Sequence, residues 1–235
     1  MENRMHMVEA AAAGGRNSAR RSFAPEKLNL FCNLGQAREY PATTELFSQG
    51  SSVKEVFLID KGMVKLTCLS EGGQELIVGL RSPGSVLGAA SAIVQKPHSV
   101  TGVTLTVCHL YSIALDLFLH LTKADAQFCW YLHQVHSREV YHQASQMVAL
   151  KYLMARQRFE QLVWQLVSAN GLDRREPPVS VDLPLKYWEI AQMVGITREH
   201  LSRVLKQMQR EGILHREDGR LVISDFQRLY HPADA

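Results

Sequence analysis

Residues 186–211 read KYWEIAQMVGITREHLSRVLKQMQRE. The pattern is two short helices around a tight turn, with Gly195 free to take the left-handed turn conformation and Ala191 small where the helices must approach. Ile190, Val194, Ile196, Leu201, Val204 and Leu205 supply the shared apolar side, so the stretch is a helix-turn-helix pattern. Thr197 is placed to cap the second helix, whose first turns then present Arg198, Glu199, Ser202 and Arg203, followed by Lys206 and Arg210. These residue types suit the major groove of double-stranded DNA. Arginine forks two hydrogen bonds to guanine, glutamate accepts from a base amino group, and serine serves either a base edge or a phosphate. A charged, solvated helix face is the plainer alternative, and the alanine–glycine–apolar spacing weighs against it.

Immediately downstream, ILHREDGRLVIS (213–224) joins two short apolar runs across Asp218-Gly219, a strong two-residue hairpin signal that reads as a wing. Arg216 and Arg220 on it, with Lys186, Thr197, His200 and Lys206, are the candidates for phosphate contacts. Upstream, 171–184 (GLDRREPPVSVDLP) reads as a polar, proline-bearing connector. A helix over 155–169 precedes it, with Phe159, Leu162, Val163, Leu166 and Val167 on one face and Asn170-Gly171 as a left-handed cap. Before that, 124–151 contains no Pro or Gly, so one long helix is expected there. Its Cys129, His133, His136, Val140, Gln143, Met147 and Leu150 alternate at spacings of 4 and 3, the seam of a two-stranded coiled coil or the face that lies on a sheet.

Between 40 and 113 the texture is short β-branched and aliphatic runs: VFLI (56–59), MVKLTCL (63–69), LIVGL (76–80) and VTLTVCHLYSI (103–113). Turn glycines at Gly50, Gly62, Gly73 and Gly84 separate them, which predicts an antiparallel sandwich or barrel. Residues 1–22 carry an alanine tract and four arginines without apolar periodicity, the composition of a mobile tail.

The chain has 235 residues, with 26 Lys+Arg against 23 Asp+Glu and a formal charge of +3. That total does not identify a partner, but residues 197–210 alone hold four Lys/Arg against one acid. No run approaches the roughly 18 apolar residues of a membrane span, and the start fails as a signal peptide, so no membrane partner and a cytoplasmic location are expected. Cys32, Cys68, Cys108 and Cys129 form no C-x-x-C pair, which leaves partly buried thiols or one redox-sensing thiol rather than a metal site. Among the β residues only His98 and His109 are histidines, too few for a cupin-type metal enzyme, and no G-x-S-x-G, P-loop or H-E-x-x-H occurs. No catalytic residue, metal or cofactor is assigned.

A β-roll with turn glycines, one long helix and a winged helix-turn-helix together resemble the cyclic-AMP receptor protein and FNR (Crp/Fnr) family of bacterial transcription regulators. The similarity covers roughly residues 25–225, most specifically ITREHLSRVLKQMQREGIL (196–214) and LFSQGSSVKEVFLIDKGMVKLTCLSEGGQELIVGLRSPGSVLG (46–88). It implies an α+β chain: tail 1–22, a jelly-roll sensor of the cyclic-nucleotide-binding type over 23–123, a dimerisation helix over 124–152 and a DNA-binding domain over 153–235. It further implies a homodimer through the seam, base reading by Arg198, Glu199, Ser202 and Arg203, and RNA polymerase as a partner. The half-site would be of TTGA or TGTGA type. An effector pocket is implied at Gly88, Ala89, His98, Ser99 and Gln143. There Ala89 and His98 replace the glutamate and arginine of the family's nucleotide cassette and only Ser99 is retained, so an effector other than cyclic AMP, or none, is expected. A ligand-binding module whose DNA-binding half is inactive is the competing reading.

Overall fold

A computed structural model describes residues 29–170, 172 and 177–229; the expected tail lies outside them. Helix α1 (Asn29–Leu34) leads into eight strands, β1 (Gln36–Tyr40), β2 (Glu45–Phe47), β3 (Glu55–Lys61), β4 (Val64–Leu69), β5 (Glu75–Arg81), β6 (Val86–Leu87), β7 (Thr101–Thr104) and β8 (Cys108–Ala114). They form two antiparallel sheets in the orders β1-β8-β3-β6 and β2-β7-β4-β5, the expected β-roll. Strand β3 shows why VFLI reads as a continuous apolar run. Phe57 and Ile59 enter the cluster with Val64, Leu66 and Leu110, while Val56 and Leu58 enter a second cluster against helices, so both faces are buried.

The four turn glycines all adopt positive φ, and Gly62 has a further reason to lack a side chain, because a Cβ there would stand 2.5 Å from the Val107 carbonyl oxygen. The run 103–113 is divided between β7 and β8. A short helix, α2 (Ala89–Val94), follows β6, in a segment for which the sequence reading assigns no element.

The long helix begins later than its composition indicates and is preceded by a separate one. Helix α3 (Leu115–Ala124) ends at Asp125, whose carboxylate accepts from the amides of Gln127 and Phe128 at 2.9 Å and so caps α4 (Ala126–Tyr152). On α4, Phe128, Tyr131 and Leu132 bury against Phe118, Leu121 and the β-roll, whereas Cys129, His133, Val140, Gln143, Met147 and Leu150 are exposed and His136 is half-buried. The seam is therefore a different face from the one on the sheet.

Helix α5 (Ala155–Ala169) spans the expected residues, but Asn170 is not left-handed (φ −89°, ψ 2°) and Gly171 lies outside the described residues. The connector read as polar carries strand β9 (Val179–Asp182), in which Val179 and Val181 are buried and Ser180 and Asp182 exposed, the alternation of a half-buried strand. Helices α6 (Tyr187–Val194) and α7 (Arg198–Arg210) follow, then β10 (Leu214–Glu217) and β11 (Arg220–Ile223). The last three strands make a sheet in the order β10-β11-β9. Asp218 (φ 46°) and Gly219 (φ 80°) are both left-handed, the conformation that a tight hairpin of this hand demands.

One core joins α5, α6, α7 and this sheet through Phe159, Leu166, Ile190, Leu201, Met208 and Ile223, each at most 1% exposed. Burying each large side chain contributes on the order of 1.5–3 kcal/mol. Met63 of the β-roll belongs to the same core. Beside it, the Lys65 ammonium meets the Glu189 carboxylate at 2.6 Å, and the Gln192 side chain bonds to the backbone of β5.

Candidate nucleic-acid interface

The turn between α6 and α7 is built by the main chain. Gly195 (φ 70°, ψ 44°) ends α6 while its amide donates to Gln192 O at 3.0 Å and that of Ile196 to Ala191 O at 2.9 Å. Thr197 then starts α7, its hydroxyl accepting from the His200 amide at 3.2 Å. Leu201, Val204 and Met208 face the core at spacings of three and four, so helical geometry turns the remaining residues outward. Arg198, Glu199, Arg203 and Lys206 are exposed, and Ser202 is half-buried between them and the wing. The structure thus brings the four proposed base readers onto one helical face.

The electrostatics of that face are fixed at its amino end. The Glu199 carboxyl is held below the usual carboxylate range, first by its own amide, then by the Thr197 hydroxyl and by the Arg198 and Arg203 guanidinium groups. It is an acceptor-only group at neutral pH, flanked by two fixed donors.

Of the proposed phosphate contacts, Lys186 is exposed at the start of α6, where its amide donates to Glu189 Oε2 at 2.7 Å, and His200 is half-buried beside the Thr197 cap. Arg216 on β10 lies over the Tyr187 ring at 4.8 Å from its centroid, which holds the guanidinium beside the start of α6. Arg220 on β11 pairs with Asp182 directly across the ladder, Nε to Oδ1 at 2.8 Å, both exposed. Ser202, Lys206 and Arg216, with Tyr187, Gln209 and His215, line a cavity of about 180 Å³ between α7 and the wing. Tyr187, Gln209 and His215 escaped the sequence reading. Tyr187 carried a signal, an aromatic side chain at the start of the first helix with a wing arginine downstream.

In the sensor half, the five proposed pocket residues do not converge equally. A Cβ on Gly88 would stand 3.2 Å from His98 Cε1, so those two adjoin. Ala89 is fully buried in the apolar cluster with Val56 and Phe118, while Ser99 and Gln143 are exposed. His98 is 4% exposed and stacks on Phe47 with ring centroids 4.1 Å apart. Burial pushes its pKa below the usual histidine value, so a neutral ring stands there. Farther along, Arg81 pairs with Glu139 of α4, and the His142 ring nitrogen lies 3.0 and 3.2 Å from the side-chain amides of Gln146 and Gln165. Among the cysteines Cys108 is buried, Cys32 and Cys68 are half-buried and Cys129 is exposed; burial pushes the Cys32 and Cys108 thiols up, away from the reactive thiolate. His109 faces Glu39 at 3.3 Å, and no cluster of three potential metal ligands occurs among the described residues.

Comparison with known proteins places both halves. A family model described as Cyclic nucleotide-binding domain matches residues 37–125, and one described as Crp-like helix-turn-helix domain matches residues 157–231. The chain belongs to the Crp/Fnr family of transcription regulators. Among its Crp/Fnr relatives, the Cyclic AMP receptor protein of Thermus thermophilus is 25% identical over 207 residues, covering 88% of this chain and 92% of that protein. Transcriptional activator protein FnrA of Stutzerimonas stutzeri is 26% identical over 183 residues, covering 77% of this chain and 73% of its own. The structure of FixK2 from Bradyrhizobium japonicum shares the fold, with a TM-score of 0.71 at 21% identity over 83% of this chain and 95% of that one. The chain is accordingly a Crp/Fnr-type DNA-binding transcription regulator and not an enzyme. No helix among the described residues is long and apolar enough to cross a membrane.

Proposed function

We propose that the chain acts in the cytoplasm as a homodimer that reads an inverted repeat in promoter DNA and there adjusts the work of RNA polymerase. The observation that carries this is the outward face of α7, where Arg198, Glu199 and Arg203 stand exposed beside a wing bearing Arg216. In this reading Arg203 bonds the half-site guanine, Glu199 accepts from the amino group of an opposing base, and Ser202 favours a TTGA over a TGTGA half-site. Lys186, Thr197, His200, Lys206, Arg216 and Arg220 hold the phosphates. The exposed stripe of α4 supports the dimer, because Val140, Met147 and Leu150 are 66%, 73% and 57% exposed in the single chain. Two reading helices related by a two-fold axis would enter successive major grooves about 34 Å apart. The buried, neutral His98 supports a sensor that does not hold the phosphate of cyclic AMP through a fixed cation.

Selection from a random duplex library with the purified protein tests the reading. It should enrich an inverted repeat whose half-sites lie one helical turn apart, and enrichment of no motif would overturn it. Repeating the selection with cyclic AMP, cyclic GMP or an oxidant shows whether any of them changes the result.

A further inference from the structure

Helix α6 has two functional faces. Ile190, Ala191 and Val194 point into the core beneath the reading helix, while Glu189 and Gln192, three residues apart, point at the β-roll. Strand β5 is the edge of its sheet, and an edge leaves backbone groups unpaired. The Gln192 amide fills that edge: its Oε1 accepts from the Ile77 amide at 3.0 Å and its Nε2 donates to the Glu75 carbonyl at 2.6 Å. One side chain thereby makes the pair of bonds that one residue of a parallel neighbouring strand would make. The two bonds grip one position of β5, so they fix α6 both along the strand and in rotation about it.

Glu189 adds a second, differently directed anchor. Its side chain is 4% exposed, with Oε1 at 2.6 Å from the Lys65 ammonium of β4 and Oε2 accepting from the Lys186 amide at 2.7 Å. A buried ion pair adds little net stability but is strongly directional, so it penalises any other docking angle. Met63 completes the contact by entering the core of the DNA-binding half. Since α7 follows α6 through the single tight turn at Gly195, an orientation imposed on α6 is imposed on the reading face.

We propose that Gln192 and Glu189 are positioning residues that hold the reading helix at one orientation to the β-roll and so set the half-site separation the protein accepts. This rests on the homodimer reading above. In a dimer held through α4, the distance between the two reading helices follows from how each is docked on its own β-roll.

The test is binding to duplexes in which the selected half-sites are moved apart or together by one and two base pairs. The wild-type protein should show a sharp optimum. Gln192→Ala should bind the optimal duplex roughly tenfold more weakly, as expected for two lost hydrogen bonds, and should discriminate less between spacings. Its preference among single-base changes within a half-site should stay as in the wild type, a combination that a misfolded reading helix would not give. Gln192→Glu, which sets a carboxylate oxygen against the Glu75 carbonyl in place of the donor, should flatten the profile at least as much as Gln192→Ala. Lys65→Met lies in the β-roll, outside the helix-turn-helix, and should flatten the spacing profile in the same way. In protein without DNA, amide exchange at Ile77 should quicken in Gln192→Ala. A wild-type spacing profile in both Gln192→Ala and Lys65→Met, or unchanged exchange at Ile77, overturns the positioning role. A wild-type protein with no spacing optimum would instead sink the homodimer reading.

Discussion

Arg203 stands in the open on the outer face of α7, with its guanidinium one of the two cations flanking Glu199. Replacing it with alanine should remove roughly 1–3 kcal/mol of discrimination at the half-site guanine, read by competition against duplexes changed at that base. Undiminished preference for guanine would remove the role. His98 yields a prediction of another kind. Burial lowers its folded pKa below the unfolded value of about 6.5, so the ring is neutral in the fold and gains a proton on unfolding below that value. The sign follows from linkage: the contribution is present above about pH 6.5 and is lost as the pH falls from there toward the lowered folded value. His136 and His142 are shifted in the same direction, also chiefly by burial. The melting temperature should therefore drop between pH 7.5 and 5, and His98→Phe, which keeps a ring against Phe47, should recover part of that drop. An unaltered acid loss in the variant would contradict the assignment. At this scale Arg198, Glu199, Ser202 and Arg203 were legible because helical periodicity alone decides which residues face away from Leu201 and Val204. Gln192 was not legible, because its partners Glu75 and Ile77 are more than a hundred residues away in sequence and no local pattern announces them.

Helix α4 shows how an element divides its surface. Phe128, Tyr131 and Leu132 pay for its attachment to the β-roll, leaving the stripe of Val140, Met147 and Leu150 in water. A charge in that stripe should break the proposed dimer. Met147→Glu removes a burial worth on the order of 1.5–3 kcal/mol per side chain, a tenfold or greater rise in the dimer dissociation constant, measurable by sedimentation. An unchanged dimer would place the interface elsewhere. The periodicity of the stripe was legible, but its choice between partner helix and sheet was not, since both demand the same spacing. The break at Asp125 was missed because no Pro or Gly marks it, although Asp ahead of a helical run is an ordinary amino-terminal cap. Strand β9 was hidden by its setting: VSVD alternates as a strand should, but the prolines before it drew the whole segment into a connector.

At the scale of the whole molecule, a formal charge of +3 is a weak statement, and its distribution is a strong one. The excess on α7 is exposed, with Glu199 the one acid set among Arg198, Arg203, Lys206 and Arg210, whereas the wing is arranged differently: Arg220 already holds Asp182. The wing therefore carries its own counterion. In the proposed contact of Arg220 with a phosphate, the charge released would be a tethered carboxylate rather than a free salt ion, so that contact would add little to the salt dependence of binding. Asp182→Asn should steepen the slope of log affinity against log salt by about one per protomer and tighten binding to unrelated DNA at low salt, as titrations at several salt concentrations would show. An unchanged slope would mean that Arg220 stays clear of the backbone. If a phosphate must displace Asp182 to reach Arg220, as the proposed contact requires, the wing's hold on arbitrary sequence is lowered and the protein would spend less of its time on DNA it has no reason to read.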